Sequence, residues 1–346
     1  MAKAAAKFMG SAWLRLATFL VLAVGLATAW PQLTSAQDIR FFRIGTGDTS
    51  GTLFAVGSAI AGALSNPPGS RACDRGGSCG VPNMVAVAQS TEGAIANVEA
   101  IAAGFMESAL VRADVAYWAY HGTGPFATQE PLDNLRAIAN LYPAVVHIVA
   151  RQGQGISKVS DLAGKRVSLG PKASGTPANA QAILAAYGLL VDDIEARYLD
   201  SGQAADRLQA GELDAFFAIG GLPIESIADL SRRTQVLLVP VDAAPRDEIT
   251  SFSPFLAEAE IQAGSYPRLA YTPAVAVGTQ FVVSAAAGEE LVYEIAKALW
   301  HERTRDLLDS SHPQARRISA EHALERLAIP LHPGAQRYYR EQGIHR

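Results

Sequence analysis

Past Trp30 this 346-residue chain has no uninterrupted run of the ~18 apolar residues that a membrane-spanning helix needs, so that part reads as a chain that stays in water. Charge is sparse. Only 18% of residues are Asp, Glu, Lys or Arg, with 29 basic against 33 acidic and a net charge of −4. That balance leaves no broad basic surface for nucleic acid. The His-Glu-x-x-His of zinc peptidases is missing. Gly45-x-Gly47 lacks the third glycine of a dinucleotide fingerprint, because position 50 is Ser. Gly170-Pro-Lys-Ala-Ser-Gly175-Thr176 opens like a phosphate loop. Its lysine, Lys172, sits inside the loop and not after the second glycine. The histidines are scattered: His121, His147 and His301 read as turn, strand and helix residues, and His312, His322, His332 and His345 lack metal-site spacing. No catalytic residue, metal or cofactor is therefore expected.

The composition does contain 49% hydrophobic residues, enough for sizeable cores, and the length suits two domains of ordinary size. The first 36 residues read as a secretory leader: Lys3, Lys7 and Arg15 with no acid, then the apolar stretch Leu16 to Trp30, then Pro-Gln-Leu-Thr-Ser-Ala. Cleavage is placed after Ala36, with Ala29 as an alternative and an uncleaved anchor as another. Removing the leader leaves 26 basic against 33 acidic residues, a charge of −7. The chain holds two cysteines, both in Cys73-Asp-Arg-Gly-Gly-Ser-Cys79. In an exported chain, cysteines this close across a Gly-Gly turn suggest a local disulfide. A redox or metal pair is the other option, but the spacing is not Cys-x-x-Cys.

Apolar runs alternate with helical spacing along the mature chain. A strand from Arg40 to Ile44 enters Gly45-Thr-Gly-Asp-Thr-Ser-Gly51, and a helix starts at Thr52. A strand from Met84 to Ala88 precedes a helix opened by Ser90, Thr91 and Glu92, with Ser90 placed to cap it. Leu135 to Ala139 and Val145 to Arg151 are two runs of strand length. A strand Arg166 to Leu169 then enters Gly170 to Thr176 and another helix, repeating the first strand–loop–helix unit about one domain later. Such alternation predicts parallel sheets flanked by helices, with ligands bound beyond the carboxyl ends of the strands.

Both loops end at helix N-termini, where free N–H groups and the helix dipole favour an anion. Thr46, Gly47, Asp48, Thr49, Ser50, Gly51 and Thr52 form the first candidate set, and Ser174, Gly175 and Thr176 the second. Gly220 follows the predicted strand Ala215–Ile219 and joins them. Gln89, Ser90 and Asn97 are polar candidates that can equally satisfy backbone groups. Asp114, like Glu92, faces the cleft or is a helix-start acid favoured by the dipole. Tyr117 walls the cleft or packs in a core with Trp118 and Tyr120. Tight turns before helices remain the plain alternative for both loops.

The sequence resembles the TAXI-type solute receptors of tripartite ATP-independent periplasmic (TRAP) transporters over nearly the whole mature chain. The resemblance rests on Ile44-Gly-Thr-Gly-Asp-Thr-Ser-Gly-Thr52, Ala94-Ile-Ala-Asn-Val-Glu-Ala, Arg112-Ala-Asp-Val-Ala-Tyr117, Val159-Ser-Asp-Leu-Ala-Gly-Lys-Arg-Val167, Gly170 to Thr176 and Gly211-Glu-Leu-Asp-Ala-Phe-Phe217. It is most specific in Ile329-Pro-Leu-His-Pro-Gly-Ala-Gln-Arg-Tyr-Tyr-Arg-Glu-Gln-Gly343. It implies a bilobed α/β periplasmic-binding-protein fold of type II, hinged, with lobe I at 37–147 and 276–346 and lobe II at 148–275. It also implies a periplasmic monomer that captures glutamate, a related amino acid or a small carboxylate. The captured solute would pass to TRAP-type permease subunits driven by an ion gradient. A sensor presenting the same ligand to a signalling receptor is the alternative. Two departures stand out: Asp48 and Ser50 replace glycine-rich positions of the family loop, and Arg112 stands where a neutral polar residue is expected. Both suggest a ligand with both charge signs.

Overall fold

The computed structural model describes residues 38–345, so the leader, 1–36, lies outside the described residues. Among those described, no helix is long and apolar enough to cross a membrane. In chain order the strands are β1 (Arg40–Gly45), β2 (Ser65–Asn66), β3 (Val81–Pro82), β4 (Met84–Gln89), β5 (Ser108–Arg112) and β6 (Leu135–Arg151). They continue with β7 (Arg166–Ser168), β8 (Glu195–Arg197), β9 (Ala215–Gly220), β10 (Val236–Leu238), β11 (Leu256–Ile261) and β12 (Thr272–Ser284). Hydrogen bonding orders them β3-β2-β4-β1-β5-β12-β6-β9-β7-β8, with β10 on β6 and β11 on β12.

The parallel strands expected from the alternation form two separate groups. β1 lies parallel between β4 and β5. β7 lies parallel between β8 and β9. The antiparallel pair β6 and β12 joins the groups. β12 pairs with β5 through Thr279–Val283 and with β11 through Thr272–Val277, so it changes partner near Gly278. β6 pairs with β12 through Leu135–Val145 and with β9 through Val145–Ala150. The two runs read from the sequence, Leu135–Ala139 and Val145–Arg151, are thus one strand of 17 residues. Pro143 interrupts the sequence pattern because it has no N–H to give the ladder. The ladder accommodates it opposite Gly278, and two register shifts follow at Thr279/Gln280 and Phe281/Val282. Such irregularities bend a strand.

Helices cover both groups. The helix Thr52–Leu64 buries Val56, Ile60 and Leu64, spaced four apart on one face, in a core with Phe42, Ile44 and Met84. Fully burying each such side chain stabilises the fold by roughly 1.5–3 kcal/mol. In the second group Val167, Ile183, Leu184, Ala215 and Phe217 share a core. The helix assigned to start at Ser90 begins at Ala94, with Gly93 as its N-cap and no side-chain cap. Ser90 does not cap it, because its hydroxyl donates to the carbonyl of Gly47 at 2.8 Å.

Cys73 and Cys79 form the expected disulfide, with Cα atoms 4.7 Å apart. His301 Nε2 lies 3.7 Å from Cys73 Sγ. These three residues form a cluster of metal-ligand dimensions, but both sulfurs are engaged with each other. Replacing both cysteines by serine is expected to lower the unfolding free energy by roughly 2 kcal/mol, the loop-closure value for so short a ring. Urea denaturation with and without the disulfide measures this, and an unchanged midpoint would contradict it.

His147 is fully buried in the shared strand β6. Its Nδ1–H donates to Val145 O at 2.9 Å, and its Nε2 accepts the Tyr266 hydroxyl at 2.8 Å. The same hydroxyl accepts the Ile224 N–H at 2.8 Å. Burial pushes the His147 pKa from 6.5 down to about 4. The unfolded chain therefore binds this proton at higher pH than the folded one. The stabilisation is complete above pH 6.5 and is lost as pH falls toward 4. Between pH 7 and 4.5, wild-type unfolding free energy should drop by roughly 2–3 kcal/mol more than that of His147→Asn. Parallel profiles in urea titrations would rule this out.

Candidate functional site

The loops that leave β1, β4, β7 and β8, together with the ends of β5 and β9, surround one cavity of about 750 Å³. All are carboxyl ends of strands, as open α/β sheets dictate. The first group supplies Gly47, Asp48, Thr49, Gly51 and Thr52 after β1, Ser90 to Ala94 after β4, and Arg112 at the end of β5. The second supplies Gly170 to Ser174 and Thr176 after β7, Tyr198 to Ser201 after β8, and Phe217 to Gly220 on β9. The helices beginning at Thr52, Ala94 and Thr176 carry glycine at the N-cap and no side-chain cap. Thr176 N–H is taken by Ser174 Oγ at 3.3 Å and Ile95 N–H by Ala173 O at 3.0 Å. The glycine N-caps bring no side chain of their own to the other first N–H groups, which suits polar or negative groups of a ligand. Asp200, by contrast, caps its own helix by accepting the Gln203 N–H at 2.8 Å.

Nine residues expected from the sequence line this cavity: Gly47, Asp48, Thr49, Gly51, Thr52, Ser90, Ser174, Thr176 and Gly220. The others stand behind it or elsewhere. Thr46 is buried, and its hydroxyl donates to Gln89 O at 2.8 Å. Asn97 is buried and donates to Thr46 O at 2.8 Å, holding the loop from below. Gln89 contributes that carbonyl and otherwise faces out. The Ser50 hydroxyl donates to Asp48 Oδ1 at 2.5 Å. Tyr117 stacks near His121, ring centroids 4.4 Å apart, and near Phe255 at 5.7 Å. Asp114 is buried behind Arg112, and Gly175 packs on Val115 and Arg112.

Arg112 closes the floor. β5 is buried along all five of its residues and ends on this cation. Two residues later Asp114, in the first turn of the helix Ala113–His121, takes Arg112 Nη2 at 3.3 Å and Nε at 3.4 Å. Arg112 Nη1 reaches Thr176 Oγ1 of the second group at 3.5 Å. Asn179, also from the second group, donates to Asp114 Oδ2. Asp114 is thus both a helix-start acid, accepting the Val115 N–H at 2.8 Å, and the partner of a buried cation.

The sequence alone missed Lys172, Tyr198 and Asp200. Lys172 Nζ lies 5.0 Å from the Tyr198 ring centroid, a cation–π contact at the cavity wall. The signal was present: Tyr198–Asp200 is a third loop between a strand and a helix start.

The two groups meet directly around the cavity. Thr52 Oγ1 donates to Gly221 O at 3.0 Å, and Ile95 N–H to Ala173 O at 3.0 Å. Gln314 Nε2 donates to Pro143 O at 3.2 Å. His312 Nε2–H donates to Pro223 O at 3.0 Å, while its Nδ1 accepts the Gln314 N–H at 3.1 Å. Burial lowers the His312 pKa and keeps the neutral form that this arrangement needs. Gly93 adopts φ +133 against Ala173 and Ser174, a conformation that favours glycine. At Gly175 a Cβ would stand 2.4 Å from Val115 Cγ2 and 2.6 Å from Arg112 Nη2. Gly175→Ala is therefore expected to hold the two groups apart, costing the closed arrangement roughly 1–3 kcal/mol. Small-angle scattering should give a larger radius of gyration than for the parent, and an identical radius would refute this.

A solved structure from Bordetella bronchiseptica RB50 shares 11% identity, covering 89% of this chain and 99% of that one, with a TM-score of 0.54. A structure described as a periplasmic transporter shares 12%, covering 90% and 93%, at 0.50. The periplasmic aliphatic sulphonate binding protein SsuA from Escherichia coli shares 15%, covering 88% and 84%, at 0.46. At these identities the likeness concerns the fold, which is the bilobed, type II periplasmic-binding-protein fold expected from the sequence. A family model matches residues 44–343, all but the two ends, and the chain belongs to the NMT1-like family.

Proposed function

We propose that this protein is a periplasmic solute-binding receptor that captures a small carboxylate or an amino acid of glutamate-like size. Its lobes are 37–147 with 276–346, and 148–275. The observation that carries the reading is a single cavity of about 750 Å³ lined by strand-end loops from both groups of strands. Small-molecule sites are concave, largely preformed and of this size. A solute touching both lobes binds the closed arrangement better than the open one, so it shifts the population toward closure. The residues proposed to touch it are Gly47, Asp48, Thr49, Gly51, Thr52 and Ser90 from lobe I, with Ser174, Thr176 and Gly220 from lobe II. Thr46, Asn97, Asp114 and Gly175 hold these in place.

The closed receptor then delivers its solute, as a monomer, to TRAP-type permease subunits. The motifs shared with TAXI-type receptors support that partner. The disulfide supports an oxidising compartment outside the cytoplasm. Calorimetry of the mature chain against amino acids, dicarboxylates and an alkanesulfonate is expected to give saturable binding of at least one. A folded protein that binds none of them would overturn the proposal. Uptake into vesicles holding the permease should depend on an ion gradient and ignore ATP. Dependence on ATP would reject the TRAP assignment alone.

A further inference from the structure

We infer that Asp114 is a resident counter-ion for Arg112 that makes the cavity select solutes carrying an ammonium group over plain anions. The inference rests on the solute-capture reading of the same cavity and narrows its ligand class. Arg112 and Lys172 are the basic residues lining the cavity, and Asp48, Glu92 and Asp200 are the acidic ones. The lining therefore carries no surplus of positive charge, even before Asp114 is counted.

The floor makes the balance sharper. The Arg112 and Asp114 side chains are 5% and 0% exposed, so their attraction is weakly screened. The Asp114 carboxylate has little freedom to move aside. Its Oδ1 is held by the Val115 N–H at 2.8 Å, and its Oδ2 by Asn179 from the opposite lobe. A solute carboxylate that reaches Arg112 must share the guanidinium with this fixed carboxylate. Two like charges about 6 Å apart, at an effective dielectric constant near 20, repel enough to weaken binding roughly a hundredfold. A solute that also carries an ammonium recovers the loss against Asp48, Glu92 or Asp200. If the worth of Asp114 lay only in the helix, its loss would change binding of anionic and ammonium-bearing solutes alike, through the fold.

Acetate and glycine are suitable probes, since they differ by one ammonium group. Binding to the full mature chain is read by NMR titration, which detects weak ligands. The wild type is expected to bind glycine more tightly than acetate. In Asp114→Asn, acetate binding should tighten at least tenfold and glycine should lose its advantage. The charge swap Asp114→Asn with Asn179→Asp returns a carboxylate to the floor from the other lobe, and the wild-type preference should return with it. The swap keeps the polar contact intact and stays informative if the single variant does not fold. Acetate binding that is equal in wild type and Asp114→Asn, or undetectable in Asp114→Asn, overturns the inference, as does a swap variant that prefers acetate. Acetate probes the floor alone, so these outcomes stay readable even if no solute in the calorimetric panel binds.

Discussion

The antiparallel pairing of β6 with β12 is the constraint on which the rest of the structure depends. Each strand begins in one lobe and ends in the other. Backbone hydrogen bonds cannot be left unmade in a buried sheet, so the two strands carry the chain between lobes without releasing their ladder. Pro143 and Gly278 face each other where the partners change. One lacks an N–H and the other a side chain, so the crossing combines continuous pairing with local irregularity. A hinge needs both, since a perfect ladder resists bending and a broken one fixes nothing.

This pairing also decides where chemistry can occur. The parallel strands of each lobe run so that their carboxyl ends open on the same cavity. The N-cap glycines at positions 51, 93 and 175 bring no capping side chain of their own to the helix starts at the cavity. A buried cation, Arg112, sits where β5 ends, because the last residue of a buried strand is the first that can turn toward a cleft. Its counter-ion comes from the next helical turn and is fixed by Asn179 across the cleft. Electrostatics and lobe closure are therefore joined in one contact.

Much of the architecture was legible from local pattern. Arg40–Ile44, Met84–Ala88 and Ala215–Ile219 each fell within an observed strand, because a buried strand shows its apolar run whatever surrounds it. The join of Leu135–Ala139 with Val145–Arg151 was hidden, since Asn140 and Pro143 break the pattern and only pairing with β12 restores it. The helix start at Ala94 was misplaced by four residues because Ser90, a good cap in isolation, spends its hydroxyl on Gly47.

The site divides along the same line. The sequence by itself determined the two glycine-rich loops and the local disulfide, all properties of contiguous residues. Backbone freedom, helix starts and short rings need no distant partner. Only the tertiary structure decided that Thr46 and Asn97 support the loop from below, that Tyr117 lies elsewhere, and that Asp114 faces Arg112 and Asn179. The physical reason is that a polar side chain's role is set by which unpaired group lies within hydrogen-bonding distance. For Asp114 that group comes from a residue 65 positions away in the chain.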